Sequence, residues 1–334
     1  MSEIILPKIV VRPRIPPFAN FKLALQPQEM HWQILANGRV VREAEQPCHN
    51  VVLDNSKELI ATLGIFEQSS YAVVGTGSTA PSTSQTGLIN EVVRTNAGVT
   101  GNPDTITEVS TGVWEITRYR QFTAAQVGGL NLTEWGWSGS GTAGGNLMSR
   151  ELFRDGSNNP ITLTLDNDQQ LRLIYKVRVT VGPTAPQAAS INISGLGVRT
   201  GNLILFRNNV NTNLNPVDAL SRMAIGIVSQ NIVFGSNIYG LDYNDPSGPY
   251  ILPNLGYFET SWQSYVANSK MRKQNNYVAQ PNDIVGTIRC FGITDLIGIS
   301  QYRTRLLFQF DGGQEIEKDN LHELTIEGFK VEWT

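Results

Sequence analysis

Between residues 170 and 181 the chain alternates with a period of two. Leu171, Leu173, Tyr175, Val177, Val179 and Val181 share one parity; Arg172, Lys176, Arg178 and Thr180 take the other, with Ile174 as the exception. Successive strand side chains point to opposite faces, so this pattern predicts a strand with one buried face. At about 3.4 Å per residue the run is roughly 40 Å long. A strand of that length needs a second sheet to cover its apolar side, which makes it the spine of a layered β structure.

The rest of the chain is punctuated in the same way. Residues 21–25, 32–35, 71–74, 91–95 and 112–122 read as strands. Asn37-Gly38, between Ile34-Leu35 and Val40-Val41, predicts a two-residue hairpin, because a type I′ turn needs positive φ at both positions. Residues 130–137 read as one strand whose apolar parity shifts between Leu132 and Trp135, predicting a bulge near Glu134. Toward the end, residues 284–290 alternate, and Leu306, Phe308 and Phe310 fall on one face. Leu324 and Ile326 share a parity that Phe329, Val331 and Trp333 break, predicting a bulge at Glu327-Gly328. Two helices are expected. One follows Asp54-Asn55-Ser56 as N-cap, with Leu59, Ile60 and Leu63 as its stripe and Gly64 at its end. The other opens at Asn215-Pro216, with Val217, Leu220, Ala224 and Ile227 near helical spacing.

These elements predict a mainly β chain: an antiparallel, jelly-roll-like β-sandwich with an inserted irregular subdomain and an extended N-terminal arm. The arm is residues 1–20, carrying Pro7, Pro13, Pro16 and Pro17, with Arg12 and Arg14 flanking Pro13. Such a segment is expected to form neither a helix nor a central strand. It has no core of its own, so it is expected to order against a partner surface. The sandwich is expected from residues 21–182 with 263–334. Residues 183–262 are then a linker and insert, beginning at Gly182-Pro183-Thr184-Ala185-Pro186. In the insert Tyr239, Tyr243, Tyr250 and Tyr257 accompany Pro, Asn and Gly, a composition that suits an exposed contact loop or an irregular subunit interface.

Bulk chemistry narrows the function. With 26 Lys+Arg against 29 Asp+Glu, the formal charge is -3, and no basic surface of the kind a nucleic-acid groove needs is expected. No apolar run approaches the ~20 residues of a membrane span, and the first residues lack a signal-peptide core. Two cysteines, Cys48 and Cys290, exclude a disulfide framework and any CxxC metal site. His31, His49 and His322 show no zinc spacing. Cys48 and His49 are neighbours, which on a strand point apart, so they make a poor dyad. The Gly75-Thr76-Gly77-Ser78-Thr79-Ala80 stretch resembles a phosphate loop but lacks the Gly-Lys-Ser/Thr ending. No Ser sits in a GxSxG elbow; plentiful carboxylates leave a paired-acid site open. Asp242, Asn244 and Asp245 offer a calcium candidate, but Pro246 takes the next ligand place, and an Asx turn is the competing reading. Trp135, Trp137 and Trp262 could stack on sugars or fill a core. No cofactor is expected.

Five segments carry a family resemblance: Asn50-Val51-Val52-Leu53-Asp54; Tyr71-Ala72-Val73-Val74-Gly75-Thr76-Gly77 leading to Thr86-Gly87-Leu88; Leu132-Thr133-Glu134-Trp135-Gly136-Trp137; Ser149-Arg150-Glu151-Leu152-Phe153-Arg154-Asp155-Gly156 through Gln170 to Tyr175; and Ile316-Glu317-Lys318-Asp319-Asn320 through Leu324 to Trp333. As an ordered set they resemble the minor structural proteins of tailed-bacteriophage virions, of the tail or tail-fibre type. The resemblance covers residues 50–181 and 275–334 and brings no catalytic motif with it. It implies a virion component, made in the host cytoplasm, that docks to copies of itself and to other virion proteins by symmetric contacts in the tail, collar or baseplate region. The alternative it leaves is a receptor module that binds host-surface glycan. It also implies that the C-terminal strands pair with the central ones, closing a single sandwich.

Overall fold

A computed structural model describes the chain apart from residues 1–7, 13–20, 145, 194–195, 208–216, 218–219, 222–229, 245–255, 261, 274, 276, 296–302, 322 and 327–329. At 48% strand and 8% helix it is mainly β, built of sheets whose strands pair mostly antiparallel. Two compact units form: residues 1–23 with 181–333, and residues 24–180 with Thr334. This differs from the expected grouping around an insert at 183–262. Strands Gln187–Ile193 and Gly197–Leu205, inside the expected insert, pair with each other, and the second pairs with Arg303–Phe310. The stretch after the Pro-rich break is thus sheet interior and not a protrusion.

In the unit of residues 24–180, the spine is the Gln170–Gly182 strand, whose burial alternates along its whole length. It pairs antiparallel with Val113–Phe122 from Leu171↔Phe122 to Thr180↔Val113. A five-stranded sheet of Val51–Val52, Leu147–Leu152, Glu134–Ser138, Tyr71–Gly75 and Glu91–Thr95, in that order, supplies the covering layer. The layers meet through aromatic rings: Trp137 stacks on Tyr175 at 5.1 Å, and Trp32 meets Phe153 edge-on at 6.4 Å, while Trp135 stacks on Phe153 at 5.2 Å within the covering layer. Truncating any one of these rings should cost about 3–5 kcal/mol.

Local chemistry explains where the sequence reading held. Asn37 and Gly38 have φ of 52° and 75°, as the hairpin requires. Helix Asp54–Leu63 ends at Gly64, φ 77°, but begins at Leu53 with no side-chain cap. Residues 21–25 and 32–35 lie on one strand, Phe21–Ala36. The expected strand at 130–137 is two, Asn131–Leu132 and Glu134–Ser138, broken at Thr133. All five residues of the second are buried, so burial on both faces, rather than a bulge at Glu134, shifts the apolar parity. The register slips instead between Trp137 and Ser138.

The other unit holds a nine-stranded sheet in the order Gly256–Thr260, Gln230–Gly235, Cys290–Asp295, Arg303–Phe310, Gly197–Leu205, Gln187–Ile193, Lys8–Arg12, Glu323–Ile326, Tyr277–Ala279. Phe308 and Phe310 lie on one face, as expected, and cluster with Phe291 at 5.3 Å and 5.8 Å. Leu307, Ile204, Phe206 and Cys290 fill the other face under Tyr239 and Leu241. The arm is corrected here. Lys8–Arg12 is an interior strand, parallel to Glu323–Ile326 and antiparallel to the Gln187–Ile193 strand through Val11↔Ile193 and Arg12↔Asn192. Its Lys-Ile-Val-Val-Arg run is β-branched and lies between Pro7 and Pro13, so the prolines bracket a strand without entering it. Arg14 lies outside the described residues, as do Ala224, Ile227 and the expected bulge at Glu327-Gly328; Val217 and Leu220 are helical and buried.

Candidate functional site

Three groups of buried charge stand out, and each closes a loop. Glu134 and Arg150 lie on neighbouring strands, Arg150 directly opposite Gly136, which places both side chains on one face. Both are fully buried. Glu134 Oε1 accepts the backbone N–H of Gly77 (2.9 Å) and Asn90 (2.8 Å); Oε2 accepts Ile89 N–H (3.1 Å) and Arg150 Nε (2.9 Å). Arg150 then donates to Gln85 Oε1 and to the Thr79 carbonyl, both at 2.8 Å. The stretch that resembles a phosphate loop thus contributes one backbone N–H, that of Gly77, to an anion cradle completed by Ile89 and Asn90. The anion is the chain's own carboxylate, and a methyl on Gly77 would run into Glu134 Oε1.

Arg118 and Arg120 point inward from the Val113–Phe122 strand and share Asp104 at 2.6 Å and 2.8 Å. Arg118 also reaches Ser69 Oγ at 3.1 Å and the Phe66 carbonyl, and Arg120 reaches the Ser70 carbonyl at 2.7 Å, clamping the short 3₁₀ turn Glu67–Ser69. Burial raises the Asp104 carboxyl, but the bonds from Arg120 and Arg118 outweigh it and hold the group below its ordinary value. In the other unit, buried Lys318 donates to the carbonyls of Gln280 (3.3 Å), Pro281 (3.0 Å), Ile284 (3.0 Å) and Asp319 (3.1 Å).

A polar cleft of about 510 Å³ opens between the residue 46–51 segment and the turn after Leu147–Leu152. Asp155 shapes that turn, accepting the N–H of Ser157 (2.9 Å) and Asn159 (2.8 Å) on Oδ1; the Asn159 backbone bond leads the set that lowers its carboxyl. Gln46 Nε2 ties the opposite wall to the Gly156 carbonyl at 2.7 Å. Glu151, Arg154, His49, Asn50 and Asn158 line the space. Arg154 is committed: Nε and Nη2 donate to Glu151 Oε1 at 3.0 Å and 2.9 Å, and Nη1 to the Asn158 carbonyl at 2.8 Å.

The residues singled out from sequence are placed differently. Tyr243 is buried, and Tyr239 packs on the Ile204–Leu307 cluster while Gln309 brackets its backbone at 2.7 Å and 3.2 Å. The loop around them is exposed at Asn237, Ile238, Gly240 and Asn244, but these two rings turn away from its surface. Tyr257 lies on a strand, opposite Val233; Tyr250 is outside the described residues. Arg12 pairs with Asn192 in the sheet. Asp242 Oδ1 accepts the Asn244 N–H at 2.9 Å, the Asx turn that competes with the calcium reading; Asp245 is outside the described residues. Trp135 and Trp137 are fully buried and Trp262 nearly so, which removes them as sugar platforms. Glu151 and Arg154 belong to a segment of the family resemblance, but no spacing in the sequence marks them as a site.

Comparison with protein-family models, curated proteins and solved structures found no match. The site must be read from its own chemistry.

The two thiols are structural. Burial first, and the negative Glu151 second, push Cys48 up to about 12, and burial pushes Cys290 up to about 12. Cys48 Sγ donates to the Met30 carbonyl at 3.4 Å. Since the folded values lie above the unfolded ones, the folded chain holds these protons longer. Their contribution is present below about pH 9 and is lost as pH rises from there toward 12. Native protein at pH 8 should take up no iodoacetamide and denatured protein two equivalents, counted by mass spectrometry. Rapid labelling of the native chain would show that a thiolate is accessible.

Proposed function

We propose that this chain is a non-enzymatic structural component of a tailed-phage virion, in the tail, collar or baseplate region, that assembles by symmetric contacts with copies of itself and with other virion proteins. The resemblance of the five segments supports the virion part. The observation that carries the mechanical part is the Glu134–Arg150 clamp. A carboxylate that works on a substrate must keep an oxygen for it, whereas both oxygens of Glu134 are taken by the chain's own donors. Asp104 and Lys318 are used in the same manner, each fastening a loop. Stiff loops on β layers suit a part that transmits force through repeated interfaces.

Native mass spectrometry of the purified chain tests this. A discrete closed oligomer is expected, together with the chain's presence at a fixed copy number in purified particles. A chain that stays monomeric across micromolar concentrations and is missing from particles would overturn the reading.

A further inference from the structure

We propose that the cleft lined by Gln46, His49, Asn50, Glu151, Arg154 and Asn158 is a binding site for a neutral saccharide, recognised through its hydroxyl donors. This goes beyond the mechanical role and stands without it. The cleft, at about 510 Å³, lies within the roughly 300–1,000 Å³ typical of small-molecule sites.

The polarity of the site selects the ligand. The Glu151 side chain is only 6% exposed. Its hydrogen bonds, from Leu152 N–H (2.8 Å) and from Arg154, all fall on Oε1. Oε2 is thus an acceptor held in place and left for a ligand. Asn50 also lines the cleft, but its carboxamide faces inward: it donates to the Tyr175 hydroxyl at 3.1 Å, and its Oδ1 is closed off from solvent and so from a ligand. Glu151 Oε2, an acceptor with spare capacity, calls for a ligand that donates.

Charge then separates the classes of donor. Arg154 sits against Glu151 at 2.9 Å, so the negative charge is already balanced and an ammonium gains little. Arg154 spends three of its five N–H groups on Glu151 Oε1 and the Asn158 carbonyl, so one N–H on each of Nη1 and Nη2 is left beside the Glu151 carboxylate, whose negative charge a carboxylate or phosphate ligand would have to meet. Hydroxyl groups, which donate without charge, fit what remains. Pro47 and Val51 give the cleft an apolar strip for the C–H face of a ring.

Saturation-transfer NMR and calorimetry on the full chain, with neutral di- and trisaccharides, protonated glucosamine and glucuronate as the three arms, test the assignment. Neutral sugars should bind, and the charged arms at least about tenfold more weakly. Glu151→Gln should weaken neutral-sugar binding about tenfold, the scale of one hydrogen bond to a charged acceptor. Asn158→Gly guards against a folding artefact. Asn158 is exposed with φ 66°, where glycine is at ease, and its carbonyl bond to Arg154 is kept. It should bind neutral sugar at least threefold more weakly with its melting temperature unchanged. No saturation transfer from any sugar at millimolar concentration, or a preference for glucosamine or glucuronate, would overturn the proposal. So would unchanged affinity in the folded Asn158→Gly chain.

Discussion

Glu134→Ala should destabilise the residue 24–180 unit by about 3–5 kcal/mol, the usual cost of stripping one partner from a buried ion pair. The cost has two sources. Arg150, fully buried, would keep its charge with only Gln85 Oε1 and the Thr79 carbonyl as partners. The N–H groups of Gly77, Ile89 and Asn90 would lose their common acceptor, at about 1–3 kcal/mol for each that water cannot reach. Arg150→Met should cost less than Glu134→Ala, because the three N–H groups would still hold the carboxylate. The double variant Glu134→Leu/Arg150→Met should recover only part of the loss. It removes both charges but still orphans the loop's backbone, whereas an ion pair without such dependants can be replaced by apolar groups almost freely. Urea titration followed by tryptophan fluorescence reads the stability. Hydrogen exchange should show loss of protection at Gly77, Ile89 and Asn90 before any loss in the Gln170–Gly182 strand. Full recovery in the double variant would mean that the loop does not depend on the carboxylate.

That clamp also shows where the sequence is legible and where it is not. The spine was readable because one face is buried and the other solvated, so Leu171 to Val181 print the period of the strand directly. The Asn37-Gly38 hairpin was readable because positive φ restricts residue type. Glu134–Ser138 was misread for the opposite reason. A central strand covered on both sides carries no alternation, and Glu134 on a buried face looks like an interruption until its donors are known. Those donors come from a loop some 44 to 57 residues away in sequence. The cleft was invisible for a similar reason: Asn50 and Glu151 line one space only because Val51–Val52 pairs with Leu147–Leu152. At Tyr239 and Tyr243 composition marks a loop but not which way its rings turn: Ile238 and Asn244 are exposed, while Tyr243 is buried and Tyr239 packs on the Ile204–Leu307 cluster.

Deleting residues 1–12 should cost the residue 181–333 unit on the order of 3–9 kcal/mol, taking about one net hydrogen bond of ~0.5–1.5 kcal/mol for each of its six pairings. Lys8, Ile9, Val10 and Val11 pair with Glu323 to Ile326, and Val11 and Arg12 with Ile193 and Asn192. The strand therefore has a neighbour on each side, and its removal creates two new sheet edges at once. Exposed edges recruit other strands, so the truncated chain should aggregate as well as unfold early. Val10→Pro offers a test without truncation: it removes a donor and a fixed φ is imposed inside an interior strand, where proline is not tolerated. Both variants should lose exchange protection along Gln187–Ile193 and Glu323–Ile326 and melt at lower temperature in calorimetry. A synthetic peptide spanning residues 6–14, added in excess to the deletion variant, should restore part of that protection by pairing into the open slot. A deletion variant with unchanged melting and exchange would return the segment to the role its prolines first implied, a tail outside the fold. The expected losses instead follow from five residues whose β-branched run outweighs the prolines on either side.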